Sequence, residues 1–160
     1  MPAVADLTAI IGCGNPNRSD DGVGPRVIDI LSREPLPPGC RLFDAGTDGM
    51  GVMYRARGAR RLIIVDARAP EASPGAIYEV PGALLEAPPR HSLNLHDFRW
   101  DHALHAGRQI YGADFPSDVA VFLIEAQTLE LGLGLSPAVE AAAQEVAARI
   151  RARLEAAAAS

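Results

Sequence analysis

Apolar positions along this chain fall into two kinds of run. Three are near-continuous: Thr8-Ala-Ile-Ile11, Leu62-Ile-Ile-Val65 and Val119-Ala-Val-Phe-Leu-Ile124. Such runs suit strands covered on both faces, as in a mainly parallel sheet. They predict strands over Leu7–Gly12, Arg61–Asp66 and Asp118–Ile124, joined by strands over Arg41–Asp44 and Ala76–Val80. The last of these alternates more and suits an edge. Helical spacing lies between them, over Gly24–Ser32, Gly49–Ala56 and Asp97–Ile110. A final helix starts at Ser136-Pro137 and continues through Val139, Val146, Ile150 and Leu154. Ser136 suits an N-cap and Pro137 the first helical position. The Ala-rich tail Glu155–Ser160 is expected to fray.

Alternating strands and helices predict an α/β fold, a three-layer sandwich with one central, mainly parallel sheet flanked by helices. Proline clusters at Pro35, Pro37 and Pro38 and at Pro88 and Pro89 mark loops rather than linkers. No repeat is present, so the expectation is a single domain over 1–160. The loop from Gly82 to Leu95 is long for such a domain, and long loops are often functional.

Composition narrows the function classes. The 160 residues are 48% hydrophobic and 22% charged, which suits a globular core rather than disorder. A formal net charge of -5 disfavours nucleic acid, whose binding depends on neutralising phosphates with Lys and Arg. Cys13 and Cys40 form neither a disulfide framework nor a zinc spacing. No apolar stretch is long enough to span a membrane, and the N-terminus lacks the pattern of a signal peptide. The default expectation is a cytoplasmic protein.

Candidate chemistry lies where the predicted strands end, since ligands of an open parallel sheet sit beyond the carboxyl ends of its strands. The first strand runs into Gly12-Cys-Gly14, then Asn15, and a polar loop carrying Asp20, Asp21 and Gly22 before the helix. A phosphate loop in that place avoids negative charge, so the acids argue for a cation. Asp44-Ala-Gly46-Thr47 follows the second strand, Asp66 ends the third apolar run, and His96 precedes a helix. Asp21, Asp44, Asp66 and His96 can thus converge on one sheet edge. Two carboxylates and an imidazole suit nickel or zinc with positions left open. Plainer readings compete. Asp66 can cap a turn, one of the two acids can serve a helix dipole, and His91, His102 and His105 rival His96. Ser19, Thr47 and Ser92 are conceivable nucleophiles, but none stands in a recognisable elbow. His102 and His105 read as a solvated helix face.

The chain resembles the hydrogenase maturation proteases, which process the large subunit of nickel-iron hydrogenases. Five segments carry the resemblance, in order and at compatible distances: Gly12-Cys-Gly-Asn15 with Ser19-Asp-Asp-Gly-Val-Gly24; Asp44-Ala-Gly-Thr47 with Gly49-Met50; Leu62-Ile-Ile-Val-Asp66; the His96 segment; and Leu133-Gly-Leu-Ser-Pro-Ala-Val139. The resemblance implies an endopeptidase that removes a C-terminal extension from the large-subunit precursor after nickel insertion, with the metal as recognition signal. It assigns metal contact to Asp21, Asp66 and His96, and importance to Asp44. Nickel then comes with the precursor, and the free protein can hold another divalent ion. Three departures stand out. Asp21 replaces the family's usual Glu, Ala45 a usual Gly, and Asn94-Leu95 the small or polar residues expected before His96. If position 45 needs positive φ, alanine is strained there.

Two mechanisms follow from the resemblance. The ion polarises the scissile carbonyl or activates water, or it only docks the precursor while Asp44 acts as general base on water. Two other readings remain. One is a non-catalytic nickel- or precursor-binding maturation factor. The other is a peptidyl-tRNA hydrolase-like enzyme, disfavoured by Ser19-Asp-Asp-Gly where that family has a His-Asn pair, and by the acidic balance.

Overall fold

The computed structural model describes residues 7–81 and 104–159. Among these residues five strands form one sheet: β1 (Thr8–Cys13), β2 (Cys40–Gly46), β3 (Arg61–Arg68), β4 (Ile77–Pro81) and β5 (Asp118–Glu125). Their order across the sheet is β2-β1-β3-β5-β4. The first four in that order are mutually parallel, and β4 runs antiparallel to β5 at one edge. The three near-continuous apolar runs are the three inner strands. Every residue of β1 is buried, as are Leu62–Ala67 of β3. Edge strands β2 and β4 are only partly covered, hence their mixed sequences. Pro81 ends β4, which an edge tolerates because a missing N–H costs no inner ladder bond.

Among the described residues four helices cover the sheet: α1 (Val23–Ser32), α2 (Gly49–Ala56), α3 over residues 104–111, and α4 (Pro137–Ala158). Strand side chains alternate between faces. Ile63, Val65 and Ala67 therefore meet Val27, Ile28 and Leu31 of α1 and Val146 and Ile150 of α4. Leu62 and Ile64 face the other way, towards Val52 and Ala56 of α2 and Leu104 of α3. The result is the expected three-layer α/β sandwich. Arg26 ties α1 to α4 through Glu140, its Nε donating to Oε1 at 2.7 Å, and that hydrogen bond raises the guanidinium's pKa above its ordinary value.

Three expectations need correction. β3 runs past Asp66 to Arg68, because β5 keeps pairing with it through Arg68↔Glu125. The tail does not fray at Glu155: α4 continues to Ala158, held by buried Leu154 against the core. Ser136 is the N-cap residue of α4 but makes no side-chain cap. Its Oγ donates instead to Asp20 Oδ2 at 2.9 Å. The start of the helix expected over Asp97–Ile110 lies outside the described residues, as do the loop from Gly82 to Leu95 and His91, His96 and His102.

Candidate active site at the carboxyl edge of the sheet

The chain leaves β1 through α1 to β2 on one side, and reaches β3 on the other side of β1. That reversal is a topological switch point, where an open α/β sheet has a crevice beyond its strand ends. β1 and β3 stay paired as far as Gly12↔Val65. Beyond it, β1 turns into its loop while β3 goes on beside β5. Asp66 is the first β3 residue past this parting.

Asp66 is fully buried and its Oδ1 accepts the Ala67 N–H at 2.8 Å. By alternation it shares a face with Leu62 and Ile64, on the α2/α3 side. Asp21 comes to the same end of the sheet on a short 3-10 turn, Ser19–Gly22, that packs against β3 and leads directly into α1. Asp21 is also buried, and its Oδ2 accepts the Asn15 N–H at 2.9 Å, which folds the loop back over β1. Gly14 lies so close that a Cβ on it would stand 1.8 Å from the Asp21 carbonyl oxygen, at a φ of +136. Only glycine fits there. Gly22 approaches Pro16 in the same tight loop.

Asp20 has a different role. Its carboxylate is fully buried and accepts hydrogen bonds from the N–H groups of Gln127, Thr128 and Ser136 and from Ser136 Oγ, at 2.7–3.2 Å. These donors satisfy a charge whose burial is otherwise costly. They fasten the β1–α1 loop to the loop between β5 and α4, immediately beside Asp21. Nothing in the local sequence distinguishes the two adjacent acids in this respect. Glu125, which no sequence motif marks, is a second buried anchor. Its Oε2 accepts the Ser73 N–H at 2.6 Å and its Oε1 the Tyr78 hydroxyl at 3.3 Å, holding the β3–β4 connection. The signal available was an acid closing a wholly apolar run.

Asp44 is exposed on β2, opposite Gly12 of β1. Two strand spacings, roughly 10 Å, separate it from β3. Its Oδ1 accepts the Gly46 N–H at 2.9 Å, shaping the turn that carries exposed Thr47. Gly14 N–H donates to the Gly46 carbonyl at 2.8 Å, so this turn is joined to the β1 loop. Gly46 takes the positive φ of the turn, +56, and Ala45 is not strained: among the described residues only Ser19 has positive φ without being glycine. Ser19 is no nucleophile in this arrangement, because its Oγ donates to the Glu130 carbonyl at 2.8 Å. His105 is half-buried on α3, its ring within hydrogen-bond distance of Gln109.

The fold thus brings Asp21, Asp44 and Asp66 to one edge, Asp21 and Asp66 at the switch point and Asp44 on the flanking strand. Two buried carboxylates are hard donors suited to a divalent ion, and they need further ligands. No group of three or more metal-binding side chains occurs among the described residues.

A family model described as hydrogenase maturation protease matches residues 25–153. The chain is 30% identical over 153 residues to the hydrogenase 2 maturation protease of Escherichia coli strain K12, covering 89% of each protein. Its fold is similar to that of the hydrogenase maturating endopeptidase HybD from E. coli, with a TM-score of 0.83, 25% identity, and coverage of 94% of this chain and 93% of that one. The NiFe hydrogenase maturation protease HybD from Thermococcus kodakarensis shares the fold at a TM-score of 0.75 and 22% identity, covering 92% of this chain and 99% of that one.

Proposed function

This chain belongs to the hydrogenase maturation protease family, and we propose that it removes the C-terminal extension of a nickel-iron hydrogenase large-subunit precursor once nickel is in place. The observation that carries the metal-gated reading is the pair of buried carboxylates, Asp21 and Asp66, at the β1/β3 switch point. Carboxylate oxygens are hard donors that suit a divalent ion, and a loaded precursor would deliver that ion to this edge.

In this proposal nickel is cargo of the precursor. Asp21, Asp66 and His96 fill its open coordination positions, and the scissile peptide comes to lie along the carboxyl edge of the sheet. Asp44 then acts as general base on the attacking water. Its exposure and its link through Gly46 to the β1 loop support that assignment. The enzyme's recognition site is completed only by a loaded substrate, so an unloaded precursor is not cut.

The test is cleavage of nickel-loaded precursor by the unaltered protein and by Asp66→Asn, His96→Ala and Asp44→Asn variants. Asp66→Asn and His96→Ala are expected to lose precursor binding together with cleavage. Asp44→Asn is expected to keep binding and lose cleavage by at least ~100-fold, the usual scale of a general base. Full cleavage by His96→Ala would sink the docking assignment, and full cleavage by Asp44→Asn would remove its catalytic role.

A further inference from the structure

We infer that Gly46 is a positioning residue: its backbone turns the Asp44 carboxylate past the end of β2 and fixes it to the loop that carries Asp21. The inference rests on the reading above, in which Asp44 is the general base of the cleavage.

Asp44 and Asp66 start from opposite faces of the sheet. Side chains alternate along a strand. Leu42 packs with the core under α1 and α4, and Phe43 with the core under α2 and α3. In regular alternation Asp44 therefore follows Leu42 towards α1, whereas Asp66 shares the α2/α3 side with Leu62 and Ile64. Gly12, the strand partner of Asp44, agrees: a Cβ there would meet Gly24 and Ile28 of α1. A carboxylate left on that face is turned away from Asp66.

The end of β2 departs from this alternation. Pairing with β1 steps from Gly12↔Asp44 to Cys13↔Gly46, so Ala45 is an extra residue in β2. Such a bulge bends its strand and re-aims the neighbouring side chains. Asp44 Oδ1 accepts the Gly46 N–H at 2.9 Å, which draws the carboxylate forward, towards the carboxyl edge. The Gly46 carbonyl accepts the Gly14 N–H at 2.8 Å, and the next amide, that of Asn15, donates to Asp21 Oδ2 at 2.9 Å. The two carboxylates are thus linked through Gly46 and two successive amides of the β1 loop.

One residue presents its N–H to Asp44 and its carbonyl to Gly14. The dihedrals at that residue set the angle between the two groups, and here φ is +56. Asn tolerates positive φ, but a β-branched residue does not. Space is no constraint, because a Cβ on Gly46 would meet nothing within 4 Å. A substitution at 46 therefore acts through the backbone. Gly14 cannot be used in the same way, since its Cβ would strike the Asp21 carbonyl oxygen.

The test compares the unaltered full-length protein with Gly46→Val, Gly46→Asn, Asp44→Asn and the Gly46→Val/Asp44→Asn pair. The readouts are kcat and KM on nickel-loaded precursor, precursor binding and the unfolding midpoint. Gly46→Val is expected to lower kcat by at least about tenfold, as displacement of a reacting group does. Its KM and precursor binding should stay within about twofold, because the interaction lost serves the transition state. Gly46→Asn should restore kcat. In the pair, Asp44→Asn should cost far less than it does alone, because both changes act on one group. An unchanged kcat for Gly46→Val overturns the inference. So does a Gly46→Asn variant as slow as Gly46→Val, or a pair whose losses multiply. If the unaltered protein cuts no loaded precursor, the proposed function fails instead. The positioning is then judged on amide hydrogen exchange: Asp44→Ala must speed exchange at Gly46, and Gly46→Val at Gly14. Unchanged rates overturn it.

Discussion

Asp20 accepts donors from Gln127, Thr128 and Ser136, while Asp21, next to it, turns to Asn15 and the switch point. One carboxylate builds the loop and the other is placed by it. Replacing Asp20 with Ala leaves several part-buried donors without their acceptor, each worth about 1–3 kcal/mol. Asp20→Ala is therefore expected to destabilise the protein by more than about 3 kcal/mol, read from the urea midpoint. Asp21→Asn keeps the shape of the side chain and should change the midpoint by less than about 1.5 kcal/mol while weakening binding of loaded precursor. An Asp20→Ala variant of ordinary stability would contradict the division. This division was not legible in Ser19-Asp-Asp-Gly22, since the donors lie more than a hundred positions away along the chain. The placing of Asp21 and Asp66 at strand ends was legible, because both stand where apolar runs give way to polar residues. Ala45 was settled only by the backbone, which puts the positive φ on Gly46.

Among the elements, α1 controls the geometry of the edge. Its second residue, Gly24, packs so closely that a Cβ would lie 2.2 Å from the Cys13 carbonyl oxygen and 2.6 Å from that of Val65. Both neighbours are inner-strand backbone and cannot yield. Gly24→Ala must lift the helix start, and the preceding turn with Asp21 moves with it. The expected cost is about 2–3 kcal/mol for overpacking, with a lower unfolding midpoint and impaired cleavage. A variant as stable and as active as the original would show that α1 does not set the loop. Inner strands β1, β3 and β5 could be read from sequence because burial on both faces leaves no alternation to confuse. Their ends could not, since the two extra residues of β3 depend on pairing with β5. The persistence of α4 to Ala158 likewise depends on tertiary contacts. Arg151, on its last turns, donates to the carbonyls of Leu31, Glu34 and Pro35 at the end of α1.

At the scale of the whole molecule, strand order β2-β1-β3-β5-β4 gathers residues from distant segments at one edge. The crossover from β1 supplies Asp21, β2 supplies Asp44 and β3 supplies Asp66. The segments that carry these three acids, distant in the sequence, reach one edge through this topology. Family and fold were both legible in the sequence, because five short motifs kept their order. Whether His96 joins the two carboxylates lies outside the described residues. Among those residues no helix is long and apolar enough to cross a membrane. In the proposed function a buried carboxylate pair makes cleavage conditional on a metal carried by the substrate. Intact-mass spectrometry of large-subunit precursor, incubated with the unaltered protein before and after nickel loading, decides whether it does. Loss of a C-terminal peptide from the loaded precursor alone is the predicted result. Equal cleavage of the unloaded precursor would contradict it.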